Sequence, residues 1–417
     1  MKHINYIIFL TLFILISDNI FSQEFTCRIK GSIIDRDNKE ILIAPITEDF
    51  NNITILHKGI KVPIINDKFD YDLTVNSIQA YLIIFMEEVK DGSGYRIREF
   101  FPDSSVVEIN IYADEENNEI IGGELNRLQK NLRDSWMIKY KGISEIQDSL
   151  RVNNNWYREE YMTLKNKIHQ TEDMEERAKL YKERRLLNDS TERYTEEAYQ
   201  IVKKERAFNK EYTDWRDNYI ETNINLYTYL ELYYKSESSN KDDFNFINRI
   251  YPKYASKYPN HPYTKLIAEK INKFNTLVVG GHYFDFKAPT IDGKMVTISD
   301  SIKGKVALLD LWSTWCGPCR HTAKSMIPIY EKYKDKGFTV IGICGVYRDM
   351  NQYHIAIEND KYPWLNLVEF NNQNGIWGLY NKEGSGGGNF LVDADGKILA
   401  ISPNAKEVEE ILSKILK

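Results

Sequence analysis

Cysteine is scarce in this chain: four residues in 417, at positions 27, 316, 319 and 344. That excludes a scaffold stapled by disulfides and leaves one C-x-x-C pair to be explained on its own terms. Proline and glycine are few as well, 11 and 22, which excludes collagen-like and linker-like chains. Charge of neither sign dominates, since 55 Lys+Arg stand against 61 Asp+Glu for a net charge of -6. Without a basic stripe, no nucleic-acid partner is expected. Long apolar runs are missing except at the start, where residues 4–16 follow Lys2 and His3 and Ser22 supplies a small residue before Gln23. A run of that length is short for a bilayer and suits a secretory signal over residues 1–22, cleaved before Gln23. The alternative is an uncleaved signal that anchors the chain to a membrane.

What is present is globular, 42% hydrophobic and 28% charged, in a chain long enough for two or three domains. Three textures follow one another. Over residues 23–123, Phe25, Cys27 and Ile29, then Val107, Ile109 and Ile111, alternate with polar residues. Turn-rich clusters at 35–38, 66–67 and 91–94 divide these runs, predicting an all-β sandwich or barrel. Residues 124–277 are rich in Lys, Glu, Arg, Asn and Tyr and predict an all-α region. There Leu180, Leu187, Tyr194, Ile201, Phe208 and Trp215 recur every seven residues, one stripe of a single long helix. Arg184 and Glu205 interrupt the second apolar position, so packing within the chain is favoured over a coiled-coil dimer. The many tyrosines, such as Tyr229, Tyr254 and Tyr258, read as packing. Pro252, Pro259 and Pro262 are expected to break the helices before the next domain.

Residues 278–417 alternate strands and helices, an α/β layer fold. Strands are predicted at 306–312, 338–344, 364–369, 389–393 and 398–401, with a helix after Pro318 and another over 407–416. Directly after the first of these strands comes Trp315-Cys316-Gly317-Pro318-Cys319. Pro318 suits a first helical turn, which makes Cys316 a helix N-terminal thiol. The positive end of the helix favours its thiolate, and Cys319 lies one turn on, where it can resolve a mixed disulfide. A zinc site needs a second ligand pair at suitable spacing, and none exists, so neither metal nor cofactor is expected. Asp310 interrupts the apolar strand six residues earlier; there desolvation raises its pKa and suits it to take the proton from Cys319. Cys27 and Cys344 read as small buried residues, and His321 as a solvated helix residue.

The motifs Phe286-Lys287-Ala288-Pro289, Gly304-Lys305-Val306, Trp315 to Cys319 and Phe390-Leu391-Val392-Asp393 resemble the TlpA/ResA branch of the thioredoxin superfamily. The resemblance implies a thioredoxin-like fold, Cys316 as nucleophile, Cys319 as resolving thiol, a redox-active disulfide between them, and the buried acid at Asp310. It also implies protein disulfide substrates and a membrane thiol-disulfide electron donor. Residues 24–123 resemble, more weakly, a β domain of unknown function fused ahead of such domains in envelope proteins of Gram-negative bacteria. One departure stands out: where the family has a cis-proline, this chain reads Gly386-Gly387-Gly388, and a looser loop is expected around Gly387, either a plain flexible connection or a wide substrate mouth. The leading reading is an exported oxidoreductase that reduces or isomerises protein disulfides in the cell envelope. The competing readings are a thiol peroxidase, with Ser313 in its Thr/Ser place, and a binding or scaffold protein with a secondary redox module.

Overall fold

The computed structural model describes residues 24–48, 58–90, 98–171, 173–237, 241–347, 349–382 and 384–416. The signal-like segment, its expected cleavage before Gln23 and the turn cluster 91–94 lie outside these residues. No helix among the described residues is long and apolar enough to cross a membrane.

Two four-stranded sheets form the N-terminal sandwich. β1 (Phe25–Ile34), β4 (Lys68–Val75), β7 (Val106–Tyr112) and β8 (Glu119–Ile121) lie in the order β4-β1-β7-β8. β2 (Glu40–Pro45), β3 (Ile60–Pro63), β5 (Tyr81–Phe85) and β6 (Arg98–Phe100) lie in the order β3-β2-β5-β6, and the short α1 (Met86–Lys90) follows β5. Period-2 alternation turns Cys27, Ile29, Val107 and Ile109 inward against Ile41, Ile43, Ile83 and Phe85 of the facing sheet. β5 breaks the alternation, with all five residues buried. The reason is that the second sheet is covered on both faces: Leu42, Leu82, Ile84 and Phe101 leave the sandwich core and pack with Ile220, Leu230, Ile247, Tyr254 and Ile267 of the helical region.

That region comprises α2 (Glu124–Val152), α3 (Glu159–Gln170), α4 (Met174–Asp189), α5 (Glu196–Thr222), α6 (Leu226–Ser236), α7 (Lys241–Lys257) and α8 (Pro262–Thr276). The single long helix expected over 180–215 is in fact two. Thr191 adopts φ +64°, and Thr195 caps a new helix by accepting the Ala198 N–H at 3.1 Å. Leu180 and Leu187 belong to α4, Tyr194 to the link, and Ile201, Phe208 and Trp215 to α5. Within the chain, Trp136 of α2 packs against Phe208 and Trp215 with ring centroids 5.6 and 5.1 Å away. Pro252, expected to end a helix, lies inside α7, whereas Pro262 starts α8.

The C-terminal part begins with a hairpin of β9 (Lys287–Pro289) and β10 (Met295–Thr297), followed by α9 (Ile298–Ile302). Its five-stranded sheet has the order β13-β12-β11-β14-β15, from β11 (Val306–Ser313), β12 (Phe338–Val346), β13 (Leu365–Phe370), β14 (Gly388–Val392) and β15 (Ile398–Ile401). β11, β12 and β13 are parallel, while β14 runs antiparallel to both β11 and β15. α10 (Gly317–Tyr333) and α13 (Ala405–Ile415) cover one face over Leu308, Trp312 and Leu391. The other face, with Leu309, Leu311 and Phe390, packs under Phe286, Ile298 and Trp377. α11 (Asn351–Asp360) and α12 (Ile376–Leu379) complete this thioredoxin-like layer fold.

Candidate active site

β11 is buried along its whole length, so its one acid is conspicuous. Alternation puts Asp310 on the face of Leu308 and Trp312, beneath α10. It is 4% exposed, and its Oδ2 has no hydrogen-bond partner. Desolvation pushes the carboxyl up to about 7, because no nearby cation or donor offsets the burial of its charge.

Past Ser313 the chain turns sharply. The Cys316 N–H donates to the Ser313 carbonyl at 3.0 Å, and Cys316 becomes the cap of α10, its Sγ accepting the Cys319 N–H at 3.3 Å. Pro318 occupies the first turn, where its missing N–H breaks no helical bond. Cys316 and Cys319 are joined as a disulfide with Cα atoms 5.3 Å apart. Both are half-buried, whereas Trp315 is 66% exposed and Gly317 and Pro318 are exposed, so the bond lies at the surface beside an indole platform. Ser313 is fully buried.

The glycine loop, expected to be loose, instead lies close over the pair. A Cβ on Gly386 would stand 2.7 Å from the Cys316 Sγ and 3.3 Å from the Cys319 Sγ. Gly387 has φ +132°, and a Cβ there would meet the Leu311 carbonyl oxygen at 1.9 Å. Glycine at 386 therefore lets the backbone touch the sulfurs, and glycine at 387 lets it turn against β11. The contact with the pair is made by Gly386, with Gly387 behind it. The Cys319 Sγ lies 3.6 Å from the Gly386 carbonyl, to which a reduced thiol at 319 can donate. No peptide bond among the described residues is cis.

A cavity of about 250 Å³ adjoins the pair, lined by Asp310, Pro318, Cys319, Thr322, Asn389 and Asn404 among others. Carboxyl and resolving sulfur thus face one space. Arg320 holds the helix start from the other side: its Nε and Nη2 donate to Asp360 Oδ2 and Oδ1 at 2.6 and 2.8 Å, and its Nη1 reaches the Thr314 carbonyl at 3.4 Å. Tyr362 Oη donates to the same Oδ2 at 2.8 Å, and the Lys324 Nζ lies 2.8 Å from Oδ1. Burial alone raises the Asp360 pKa, but the donors Arg320, Lys324 and Tyr362 outweigh it and hold the carboxyl at about 2. Sequence reasoning missed this brace, because its members come from separate elements and no spacing announces them. Cys344 is buried with its thiol pushed far up by desolvation, and Cys27 is buried with its thiol pushed up to about 11 by the same cause. His321 is exposed on α10.

Residues 279–401 match the AhpC/TSA family. The thiol-disulfide oxidoreductase ResA of Bacillus anthracis is 32% identical over 142 residues, 33% of this chain and 78% of that protein. ResA of Geobacillus kaustophilus is 24% identical over 151 residues, 36% of this chain and 80% of that protein. Among solved structures, the thioredoxin domain of a Bacteroides vulgatus thiol-disulfide oxidoreductase is similar over 34% of this chain and 99% of its own length, at 27% identity and a TM-score of 0.31.

Proposed function

The chain belongs to the ResA-like thiol-disulfide oxidoreductases of the thioredoxin superfamily, and we propose that it works outside the cytoplasm, as a reductant of protein disulfides. The observation that carries the exchange chemistry in this reading is the shared geometry of three groups: Cys316 at the N-terminus of α10, Cys319 one turn on, and Asp310 lining the same cavity as Cys319. In the reduced protein the positive end of α10 favours the Cys316 thiolate. That thiolate attacks a substrate disulfide, forming a mixed disulfide and releasing one substrate sulfur as a thiolate. Cys319 then gives its proton to Asp310 and attacks the Cys316 sulfur. The Cys316–Cys319 bond forms, the bond from Cys316 to substrate breaks, and the second substrate sulfur leaves and is protonated. Two electrons have passed from the dithiol to the substrate.

The reducing direction is supported by Gly317-Pro318 between the cysteines, the pair found in thioredoxin, which sits near about -270 mV. Export is supported by the apolar run at residues 4–16. Sustained reduction there calls for a membrane thiol-disulfide donor that returns electrons to the pair. As a peroxidase the site is poorly furnished, because Ser313 is buried away from any peroxide at Cys316.

The test is the equilibrium reduction potential of the pair, read by thiol labelling across a graded dithiol buffer. A two-electron transition below about -250 mV is expected; one near the about -120 mV of a strong oxidant reverses the direction, and no transition removes the redox role. In parallel, Cys316→Ser should abolish reduction of a protein disulfide, while Cys319→Ser should accumulate a mixed disulfide with it.

A further inference from the structure

We propose that Asn389 is a positioning residue for the proton transfer between Cys319 and Asp310, its side-chain amide acting as the hydrogen-bond partner of the Asp310 carboxyl. The proposal rests on the exchange reaction put forward above.

β14 is a buried strand whose one polar side chain is Asn389. The register pairs Asn389 directly with Asp310 across β11 and β14. Directly opposed residues project from the same face of a sheet, with Cβ atoms about 5 Å apart. Both are nearly fully buried, 4% and 6% exposed, and both line the cavity that Cys319 also lines. Each has a terminal oxygen with no hydrogen-bond partner, Asp310 Oδ2 and Asn389 Oδ1. Burying one such group is unfavourable, and an apolar residue at 389 would suit neighbours such as Leu391 and Leu308 better. Packing therefore gives no reason for the amide, whereas proton transfer does. A carboxamide offers N–H donors and a carbonyl acceptor on one rotatable group, so it serves Asp310 in either state. The two groups are not hydrogen-bonded in the disulfide form, but one rotation of the amide lets it donate to the carboxylate and the opposite rotation lets it accept from the carboxylic acid. Hydrogen bonds to the charged form are the stronger, so an amide N–H turned onto the carboxylate in the reduced protein favours ionised Asp310 against the burial that opposes it.

In the resolving step the proton leaves the Cys319 sulfur for Asp310 while the Cys319–Cys316 bond forms and the bond from Cys316 to substrate breaks. Asp310 later returns the proton to the departing substrate thiolate, directly or through solvent, and Asn389 gains and loses nothing. The other titratable groups coupled to this place are Cys344 of β12 and Tyr362 after α11, both held neutral at any working pH by burial. Arg320 is committed to Asp360, and Ser402 and Asn404 at the cavity carry no charge.

The experiment follows decay of a mixed disulfide on Cys316 in the full chain, by rapid quench and alkylation, from about pH 5 to about pH 9, the range that brackets Asp310 and an ordinary thiol. In Asn389→Leu the midpoint of the rate profile should move up by about half a unit or more, with decay about threefold slower below it. Asp310→Asn should flatten that profile, and adding Asn389→Leu to it should change nothing further. An unmoved midpoint in Asn389→Leu, or the same shift with Asp310 already gone, overturns the proposal while the exchange reaction stands. A normal profile in Asp310→Asn instead removes Asp310 as proton acceptor, and Asn389 with it. If Asn389→Leu does not fold, Asn389→Ala carries the same expectation and the same refutation.

Discussion

Burial disfavours the ionised form of Asp310, and this makes a functional group a source of instability. An unfolded Asp titrates near about 3.9, whereas in the fold Asp310 titrates at about 7. Between those values the folded chain holds the proton more tightly, so stability falls as pH rises from about 4 to about 7. Asp310→Asn should therefore raise the unfolding free energy at pH 8 by up to about 4 kcal/mol, roughly three pKa units, with little change at pH 4. Urea titrations at the two pH values would read this, and an equal gain at both would show that ionisation is not the cause. The same substitution should slow disulfide reduction at neutral pH by about tenfold or more. Asp310 is legible from sequence because a charge inside an apolar strand is a local anomaly. Asp360 is not: its burial and its partners Arg320, Lys324 and Tyr362 exist only once α10 and α11 have packed.

At the scale of elements, what alternation or a helix end dictates is readable, and what a neighbour dictates is not. β1 and β7 follow from alternation, the five strands of the C-terminal sheet from short apolar runs between turn signals, and the helix after Pro318 and the closing helix from caps and period, whereas β5, buried on both faces, shows no alternation. The break at Thr191 is hidden because Tyr194, though outside any helix, still packs its ring 5.7 Å from Trp156 and keeps the seven-residue rhythm intact. Pro252 survives inside α7 because Phe244, Ile247, Ile250 and Tyr254 bury that helix on both sides of it, outweighing the lost backbone bond. The loop before β14 departs from its expected shape for a related reason: glycine there is required by contact with the sulfurs, and a sequence shows glycine without showing contact. Gly386→Ala tests this. Its added methyl group collides with Cys316, so the loop must withdraw, and reduction of a protein disulfide should fall by about tenfold while the far-UV spectrum is unchanged. Activity equal to the unaltered protein would mean the loop moves at no cost.

Over the whole molecule, the sandwich and the helices are bound by buried polar contacts as well as by their common core. The Ala80 N–H donates to Tyr263 Oη at 2.9 Å, and the Phe101 N–H donates to Asn126 Oδ1 at 2.7 Å, while Asn126 Nδ2 returns a bond to the Phe101 carbonyl at 2.7 Å. His261 accepts the Tyr263 N–H on Nδ1 and sits 2.9 Å from the Ile78 carbonyl through Nε2, which fixes it as the neutral ring protonated on Nε2. Tyr263→Phe leaves a buried N–H without a partner and should cost about 1–3 kcal/mol, measured by chemical denaturation. Loss of β and helical signals in one transition is the expected form; a transition confined to the helices would mean that the interface carries no cooperativity. The second sheet, roofed on its outer face by α6, α7 and α8, has a bearing on how such chains are shuffled in descent. A recombination joint at residue 123 would strip Leu42, Leu82, Ile84 and Phe101 of cover and yield a sticky fragment. A joint near residue 277 leaves them sheltered, so the first two textures should be inherited together, whatever redox module they are joined to.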